Sequence, residues 1–250
     1  MTIREDPAID LPTPTGPMRT FIYRPAAEGG KHPGLVLFSE IFQVTAPVRR
    51  LAAALAGHGF VVAVPEIFHD LLVPGEVLAY DTPGADRGNA CKVGRPVKAY
   101  DDDARAALDA LRAHPACSGR LGAIGICIGG HLAFRAAMHA GVGAGACFYA
   151  TDIHKKSLGA GGDDSLARVS RGDLRAEMLM IWGRQDPHID QAGRRMIYDA
   201  MAEAKCMFSW HEFNAAHAFM RDEGSAGRYD PELARLCLGM AVDHFRRVLA

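Results

Sequence analysis

Cys127 stands in a segment whose residue types could supply a nucleophile. An apolar run at 121–124 leads into residues 125–130, Gly-Ile-Cys-Ile-Gly-Gly, and a helical pattern begins at His131. A strand, a tight turn flanked by glycines and a helix form the setting of the G-x-S-x-G motif, here with cysteine in place of serine. Such a turn holds the nucleophile in a strained backbone conformation beside which bulky residues would clash. We therefore predict that Cys127 is a nucleophile, with a helix N-terminus facing any negative charge that develops.

Two later residues could complete the catalytic group that a thiol needs. A nucleophilic thiol needs a base and a group that orients the base, and with this motif they follow in the order acid, then histidine. Asp186 lies in a G-x-x-D-P turn behind an apolar run, and His217 follows another strand-like run. Two other histidines are alternatives to His217. We expect His188, beside Asp186, to line a pocket, and His211, inside a strand pattern, to be structural.

Short apolar runs alternate with helical patterns from about residue 33 to the end of the chain. The predicted strands are 34–38, 60–64, 121–124, 144–149, 178–182 and 207–213. The predicted helices are 48–55, 101–108, one from residue 131, 194–204 and 233–248. The acidic residues at 101–103 are placed in the first helical turn, where negative charge is favoured. The alternation predicts an α/β fold, a mostly parallel sheet with helices on both faces, in a single domain over 1–250.

Three segments interrupt this alternation. The proline-rich N-terminal stretch could hold one or two antiparallel edge strands around 19–23. The segments 66–98 and 155–175 are rich in glycine and aspartate and are predicted to be long loops. Loops of this length in compact domains are commonly functional, and both follow predicted strands at the sheet edge where α/β proteins bind ligands. We therefore expect both to border the active site.

Composition excludes several classes of function. The chain has 250 residues, enough for one well-packed domain, and its net charge of −1 does not favour nucleic acid or a membrane surface. No apolar run approaches the roughly 20 residues that span a bilayer. The N-terminus has no apolar signal core, and the 6 cysteines have no C-x-x-C or zinc-like spacing. We expect a cytoplasmic protein with reduced thiols, no metal and no cofactor, a small-molecule substrate, and a monomeric or homodimeric state.

Five motifs in order make the chain resemble the dienelactone hydrolase (carboxymethylenebutenolidase) family. They are Ser-Glu-Ile-Phe at 39–42, Pro-Glu-Ile-Phe at 65–68, the segment 125–130, Gly-Arg-Gln-Asp-Pro at 183–187 and Ala-His-Ala-Phe-Met-Arg at 216–221. The resemblance covers about residues 20–248. It implies the α/β-hydrolase fold, a three-layer sandwich around a mostly parallel sheet. It also implies Cys127 as nucleophile, His217 as base and Asp186 as the residue that orients the base.

The resemblance implies roles for further residues. The backbone N–H groups of Ile41 and Ile128 would form the oxyanion hole. Glu40 matches a glutamate near the resting thiol, where a buried carboxylate would keep the thiol protonated until substrate displaces it. Arg221 matches an arginine that binds the substrate carboxylate. Arg87 is our assignment for a second substrate-binding arginine.

The chain also departs from the family pattern. Members that act on dienelactone usually carry a hydroxyl residue directly after the catalytic histidine, where this chain has Ala218. Losing this donor leaves the anion site incomplete, so we expect neutral esters or lactones to rival or surpass carboxylate-bearing ones. The 155–175 insert is also unusual for the family.

The sequence supports three hypotheses for function. The leading one is a cofactor-independent hydrolase that cleaves a small ester or lactone through a Cys-His-Asp triad and a thioester acyl-enzyme. The second keeps the triad but directs it to thioesters or phosphotriesters. The third is a non-catalytic α/β-hydrolase-fold binding protein. It predicts a broken triad, whereas all three residue types are present in order.

Overall fold

One sheet of eight strands runs through the computed structural model, which describes residues 1–27 and 29–250. The strands are β1 (Ile3–Thr13), β2 (Gly16–Pro25), β3 (His32–Phe38), β4 (Val61–Pro65), β5 (Cys117–Ile126), β6 (Val142–Phe148), β7 (Glu177–Gly183) and β8 (Phe208–Phe213). Their order is β1-β2-β4-β3-β5-β6-β7-β8. Strands β3 to β8 are mutually parallel, whereas β1 and β2 are antiparallel to their neighbours. The prediction of a mostly parallel sheet is confirmed.

Helices cover both faces of the sheet. They are α1 (Ala46–Gly57), α2 (Thr82–Gly94), α3 (Val97–Ala113), α4 (Ile128–Ala136), α5 (Ser165–Ser170), α6 (Gln191–Glu203) and α7 (Pro231–Val248). Along β3, Leu35 and Leu37 pack on the side of α1 and α7, whereas Val36 and Phe38 pack on the side of α3 and α4. Strands buried on both faces need apolar residues at every position, which explains the continuous apolar runs. None of the helices in the described ranges is long and apolar enough to cross a membrane.

The N-terminal stretch forms an antiparallel hairpin at one edge of the sheet. Strands β1 and β2 pair from Ile3 opposite Pro25 to Thr13 opposite Gly16. Gly16 has φ +123°, a conformation that side chains disfavour and that the tight connection requires. The expectation of antiparallel edge strands is confirmed, and the strands are longer than the sequence indicated.

The segment 66–98 is not a continuous loop, because it contains α2. Asp81 caps this helix by accepting a hydrogen bond from the Gly84 backbone N–H at 2.8 Å. Its buried positions are Gly84, Gly88 and Cys91. They follow helical spacing, but two of the three are glycines, so the helix carries no apolar stripe that the sequence could reveal. Small residues on this face let the helix backbone approach the residues beneath it.

Helix α3 begins at Val97, four residues before the predicted start. Its first turn therefore contains no acidic residue, and the placement of the aspartates as helix-start charges was wrong. They form ion pairs instead. Asp101 lies 2.7 Å from Arg135 of α4, and Asp103 lies 2.7 Å from the buried Arg95. Ion pairing, not the helix dipole, explains these charges.

The segment 155–175 contains the short helix α5 and is joined to the rest of the molecule by backbone and side-chain contacts. Ala160 exchanges backbone hydrogen bonds with Arg95 and Val97, at 2.8 and 3.0 Å. The buried carboxylate of Asp163 lies 3.4 Å from Arg135 of α4. Both segments predicted to be loops thus contain a helix and also contact each other.

Candidate active site

Cys127 occupies a strained turn between β5 and α4. Its φ and ψ are 58° and −126°, a region that non-glycine residues rarely adopt. A Cβ on Gly129 would approach the carbonyl oxygen of Phe38 to well under 3.0 Å, and one on Gly125 would collide with the backbone of Gly129. Glycines are required here because α4 packs backbone against backbone on the end of β3. The strain expected at this turn is present.

His217 and Asp186 meet at the carboxyl edge of the sheet. His217 Nδ1 lies 2.7 Å from Asp186 Oδ2, and both side chains are buried. Since an ionised carboxylate only accepts hydrogen bonds, the Nδ1–H of His217 donates, which leaves Nε2 free for other partners. The other Asp186 oxygen accepts from the backbone N–H of His188 at 2.8 Å. That second hydrogen bond helps to hold the Asp186 carboxylate in the orientation in which it accepts from His217.

The protonation of His217 is governed by burial and by two neighbouring anions. Burial lowers the pKa of His217, but the negative charge of Cys127 as a thiolate and the hydrogen bond to Asp186 more than offset this and raise the pKa from 6.5 to about 10. The adjacent His188, whose ring centroid lies 4.5 Å away, behaves oppositely. Burial and the charge of His217 lower the pKa of His188. Of these two imidazoles, His217 therefore binds a proton more strongly than His188 does.

A cavity of about 220 Å³ brings these residues together. The residues that line it are Glu40, Ile41, Phe42, Ala85, Asn89, Lys92, Cys127, Thr151, Asp152, Lys155, His188, His217, Arg221 and Arg228. Cys127 and His217 share this cavity, and His188 lines it as expected. His211 lies in β8, paired with Ile181 and outside the cavity. The volume is below the roughly 300–1,000 Å³ of drug-sized ligand pockets, so the cavity suits a small molecule.

Two backbone N–H groups, that of Ile41 at the cavity and that of Ile128 next to Cys127, are the candidates for an oxyanion hole. Ile128 is the first residue of α4, where an N–H has no acceptor within the helix. Within the described ranges, the N–H of Ile41 donates to no protein acceptor. Helix α2 packs against the backbone of Ile41. A Cβ added at Gly88 would collide with the carbonyl oxygen of Ile41. Helix α2 thereby fixes one side of the candidate oxyanion hole.

Glu40 and Arg221 form a buried pair at one wall of the cavity. Arg221 Nη1 lies 3.3 Å from both Glu40 carboxylate oxygens, and Arg221 Nη2 donates to the Gly224 carbonyl at 2.8 Å. The Arg221 guanidinium also lies over the ring of Tyr80, 4.1 Å from its centroid. Tyr80 is itself fixed by a 2.6 Å hydrogen bond between its hydroxyl and Thr45. The structure thus brings both predicted residues to the cavity, but bound to each other.

Arg87 does not reach the cavity, and its assignment as a substrate-binding residue is corrected. Its guanidinium is half exposed and pairs with Glu76 on the outer side of α2. Ala85, Asn89 and Lys92 line the cavity instead. They are spaced four and three residues apart and so share one helix face, whereas position 87 points elsewhere. The assignment failed because the sequence did not reveal α2 and therefore could not reveal which residues face inward.

Several cavity residues were missed by sequence reasoning. Thr151 and Asp152 directly follow β6, and ligand-binding residues commonly follow the carboxyl ends of parallel strands, so a signal was available. Lys92 pairs with Asp152 at 2.9 Å, and no sequence feature predicts that contact. Lys155 was inside a predicted site-bordering segment. Arg228 lies in the connection before α7, which the sequence did not mark as part of the site.

Tyr149 lies directly beneath the candidate catalytic residues. It is fully buried, its ring contacts the edge of the His217 ring with centroids 5.0 Å apart, and its φ is +37°. Its hydroxyl has no hydrogen-bond partner within the described ranges. Burial raises the pKa of Tyr149 well above 10, and the charges of Glu40 and Cys127 raise it further. The hydroxyl therefore stays protonated beneath the candidate catalytic residues.

Asp186, His188 and His217 also offer ligand atoms that lie within 4.8 Å of one another, the spacing a metal ion would use. The short hydrogen bond between His217 and Asp186 occupies one of these atoms on each residue. A metal bound to both would displace that proton. In the observed geometry, Asp186 orients the imidazole of His217, and the imidazole of His188 lies beside it.

The sheet topology and the strained cysteine turn define a protein of the α/β-hydrolase fold, and solved structures support that class. A Klebsiella pneumoniae protein provisionally described as a dienelactone hydrolase aligns with a TM-score of 0.84 at 23% identity, covering 99% of this chain and 100% of its own. A metagenomic dienelactone hydrolase-like promiscuous phosphotriesterase aligns with a TM-score of 0.79 at 21% identity, covering 100% of this chain and 99% of its own. The predicted fold class is confirmed.

Sequence comparisons specify the family. A sequence model of the dienelactone hydrolase family matches residues 18–249, and the chain belongs to that family. A Saccharomyces cerevisiae protein provisionally named carboxymethylenebutenolidase is 42% identical over 239 residues, 93% of this chain and 87% of the yeast protein. A carboxymethylenebutenolidase from a Pseudomonas species is 25% identical over 223 residues, 88% of this chain and 86% of its own. The resemblance stated from the sequence is confirmed, and family membership supports an ester or lactone hydrolase.

Proposed function

We propose that this chain is a cofactor-independent hydrolase that opens a small lactone or cleaves a small ester through Cys127, His217 and Asp186. One observation carries the proposal. Cys127 stands on a glycine-packed turn at the same cavity as His217, whose Nδ1 donates to Asp186 at 2.7 Å. Nucleophile, base and orienting acid are the parts that acyl transfer through a covalent intermediate requires.

In the first half of the reaction the Cys127 thiolate attacks the carbonyl carbon of the substrate. A C–S bond forms, and the carbonyl oxygen becomes an oxyanion that the N–H groups of Ile41 and Ile128 would hold. The imidazolium of His217 then gives its proton to the leaving alkoxide as the C–O bond breaks, leaving a thioester. Each oxyanion donor of this kind is worth roughly 2.7–4 kcal/mol of transition-state stabilisation.

In the second half water attacks the thioester. His217 now takes a proton from the water as the C–O bond forms, and collapse of the second oxyanion breaks the C–S bond. The products are the free acid and the Cys127 thiolate, and His217 is again protonated. The His217 pKa of about 10 supports this placement of the proton, because the imidazole retains its proton at neutral pH while the thiolate is present.

Glu40 would modulate the thiol. Its carboxylate is buried at the same cavity as Cys127, and a negative charge there disfavours a second one on the sulfur. Arg221 partly neutralises Glu40 through its two 3.3 Å contacts. A substrate that disturbs this pair would therefore change the charge that faces the thiol.

Replacement of the thiol tests the proposal. Cys127→Ala should remove turnover of 4-nitrophenyl acetate and of a small lactone while leaving the fold intact by circular dichroism, and Cys127→Ser should keep a trace of activity. Cys206→Ala is the matched control, since Cys206 is a half-buried free thiol outside the cavity. Iodoacetamide should label Cys127 in the wild type, and labelling should be faster in Glu40→Gln. Full activity of folded Cys127→Ala would refute the assignment.

Adding thioesters and aryl phosphotriesters to these substrates compares the second hypothesis with the first. Thioesters and aryl phosphotriesters would use the same nucleophile and oxyanion donors, so Cys127→Ala should abolish those activities too. A higher kcat/KM for one of these classes than for esters and lactones would replace the leading substrate class while leaving the triad in place. A wild-type protein that binds but turns over none of them would point to the non-catalytic role.

A further inference from the structure

A buried histidine of α4 contacts the 155–175 segment. His131 lies in the first turn of α4, four residues after Cys127, and is fully buried. Its Nε2 lies 2.8 Å from the Ser165 hydroxyl and 3.3 Å from the Asp163 carboxylate, and both of these partners are buried as well. His131 takes no part in the proposed reaction steps. A polar ring buried in this way is costly unless its hydrogen bonds are made, so its partners matter.

The hydrogen-bond pattern around Ser165 fixes the tautomer of His131. The Ser165 hydroxyl has one hydrogen and three polar neighbours. Asp163 Oδ1 lies 2.6 Å away, Arg135 Nη1 2.9 Å and His131 Nε2 2.8 Å. The carboxylate only accepts, so the hydroxyl donates to it, and the other two groups must donate to the hydroxyl. His131 therefore carries its proton on Nε2. Burial lowers the pKa of His131, which favours the neutral ring.

The segment that this contact holds has little regular structure before α5. Residues 151–164, which all lie in the described part of the chain, form turns and one isolated bridge at Ala160 but no helix. The backbone has positive φ at Lys156 and at three glycines, 159, 161 and 162. No repeating pattern of backbone hydrogen bonds fixes the path of such a segment, so its position depends on the contacts that it makes with the rest of the fold.

The start of the same segment forms part of the cavity wall beside the nucleophile. The Thr151 N–H donates to the Cys127 carbonyl at 3.3 Å, and both residues line the cavity together with Lys155. The backbone of Thr151 also lies close to the His131 ring. The first turn of α4 thus contacts this segment at its start, and His131 contacts it again at 163–165.

We propose that His131 is a positioning residue, which fixes the cavity wall at 151–155 relative to Cys127 by holding the 163–165 part of the same segment. The inference rests on the proposed function, because the wall matters only if Cys127 attacks a bound ester or lactone. The bound carbonyl must meet the thiolate in one geometry, and misplacement by about 1 Å can cost about a hundredfold in rate. His131 does not line the cavity, so it acts through the wall.

Two amide substitutions at position 131 separate the hydrogen bond from the burial. The Gln amide reaches about as far as Nε2 and can donate to Ser165, whereas the Asn amide ends near the position of Nδ1 and cannot. The kcat/KM for 4-nitrophenyl butyrate should fall about ten- to a hundredfold in His131→Asn and stay within about threefold of the wild type in His131→Gln. Alkylation of Cys127 by iodoacetamide should change less than about twofold in both, because that rate depends on the thiol and not on the wall.

A second buried histidine provides the matched control. His244 lies in α7 outside the cavity, and its Nε2 donates to the Glu177 carbonyl at 3.1 Å. His244→Asn should lower stability but leave kcat/KM unchanged well below the thermal midpoint. Ser165→Ala removes the acceptor instead of the donor and should reproduce His131→Asn, so it carries the test if His131→Asn does not fold. Equal kcat/KM in His131→Asn and His131→Gln overturns the inference, and so does a wild-type kcat/KM in Ser165→Ala.

Amide hydrogen exchange provides a measurement that does not depend on turnover. The N–H groups of Thr151, Ile153 and Ser157 are hydrogen-bonded. Their exchange should become at least about tenfold faster in His131→Asn, but not in His131→Gln or His244→Asn. If the wild type turned over no ester, the hydrolase proposal would fail, whereas this exchange pattern would still establish that His131 holds the segment. Faster exchange in His131→Asn with unchanged kcat/KM retains the hydrolase and overturns the positioning role.

Discussion

The reacting edge of the sheet and another part of the cavity are built by different kinds of contact. At the reacting edge, backbone touches backbone. Gly129 of α4 approaches the end of β3, and Gly88 of α2 approaches Ile41. On another wall of the cavity, side chains of α2 and of the connection after β6 meet through charges, as Lys92 and Asp152 do. The edge around Cys127 therefore admits no added atoms, whereas contacts between side chains impose no such limit on the backbone.

The largest effect should come from adding one methyl group at the reacting edge. In Gly129→Ala the new Cβ meets the carbonyl oxygens of Phe38 and Ser39, and neither can move without displacing β3. We expect a loss of about 3 kcal/mol in the free energy of unfolding, the upper end of typical overpacking, or failure to fold. Urea unfolding followed by circular dichroism measures it.

Gly239→Ala is the matched control for that substitution. Gly239 is exposed in α7 and has nothing within 4 Å of its added Cβ. Replacing a glycine by alanine in an open helical position should stabilise the protein by about 0.5–1 kcal/mol. Equal stability of Gly129→Ala and wild type would show that the turn at Cys127 is not held by backbone contact.

A smaller effect should follow from weakening the contact that holds the 155–175 segment to α4. The Asp163 carboxylate is buried and accepts hydrogen bonds from the Ser165 N–H and hydroxyl, at 2.9 and 2.6 Å, beside Arg135 and His131. Asp163→Asn removes its charge and should cost about 1.5–3 kcal/mol. Amide hydrogen exchange should become faster in 155–175 and stay unchanged in β5.

The neighbouring residue provides the comparison for that variant. Asp164 also contacts Arg135, at 3.0 Å, but its side chain is 46% exposed. Exposed pairs contribute about 0–1 kcal/mol, so Asp164→Asn should change stability and exchange little. If the two variants were equally destabilised, burial would not be what fixes this segment.

The last effect concerns ionisation and should follow from removing the thiol charge. The pKa of His217 is about 10 partly because of Cys127, so in Cys127→Ala it should fall toward 6.5. The folded-state pKa lies above the unfolded one, so protonation of His217 contributes stability that is full below about pH 6.5 and is lost as the pH rises through about 10. Histidine NMR titration of both proteins measures the shift. An unchanged His217 pKa in Cys127→Ala would show that the thiolate does not control it.

Some parts of this protein could be predicted from residue pattern and others could not. The buried strands were recognisable because short continuous apolar runs bounded by glycines and prolines are typical of strands that are buried on both faces. Helix α2 was not, because its buried face consists of Gly84, Gly88 and Cys91 and so lacks an apolar stripe. The start of α3 was misplaced because aspartates favour a helix N-terminus in general, but here they pair with Arg95 and Arg135, which lie outside α3.

The same division applies to the site. The sequence by itself determined the turn at Cys127, the order in which Asp186 and His217 follow it, and the strands that carry all three. These features depend on local chemistry, namely glycine at close backbone approaches and turns at strand ends.

Only the tertiary structure decided that Arg221 is bound to Glu40, that Arg87 faces away from the cavity, and that Lys155 and Arg228 line it. Side-chain pairing depends on which segments the folded chain brings together, and the energy of an ion pair depends on distance and burial. Residue order along the chain specifies neither quantity.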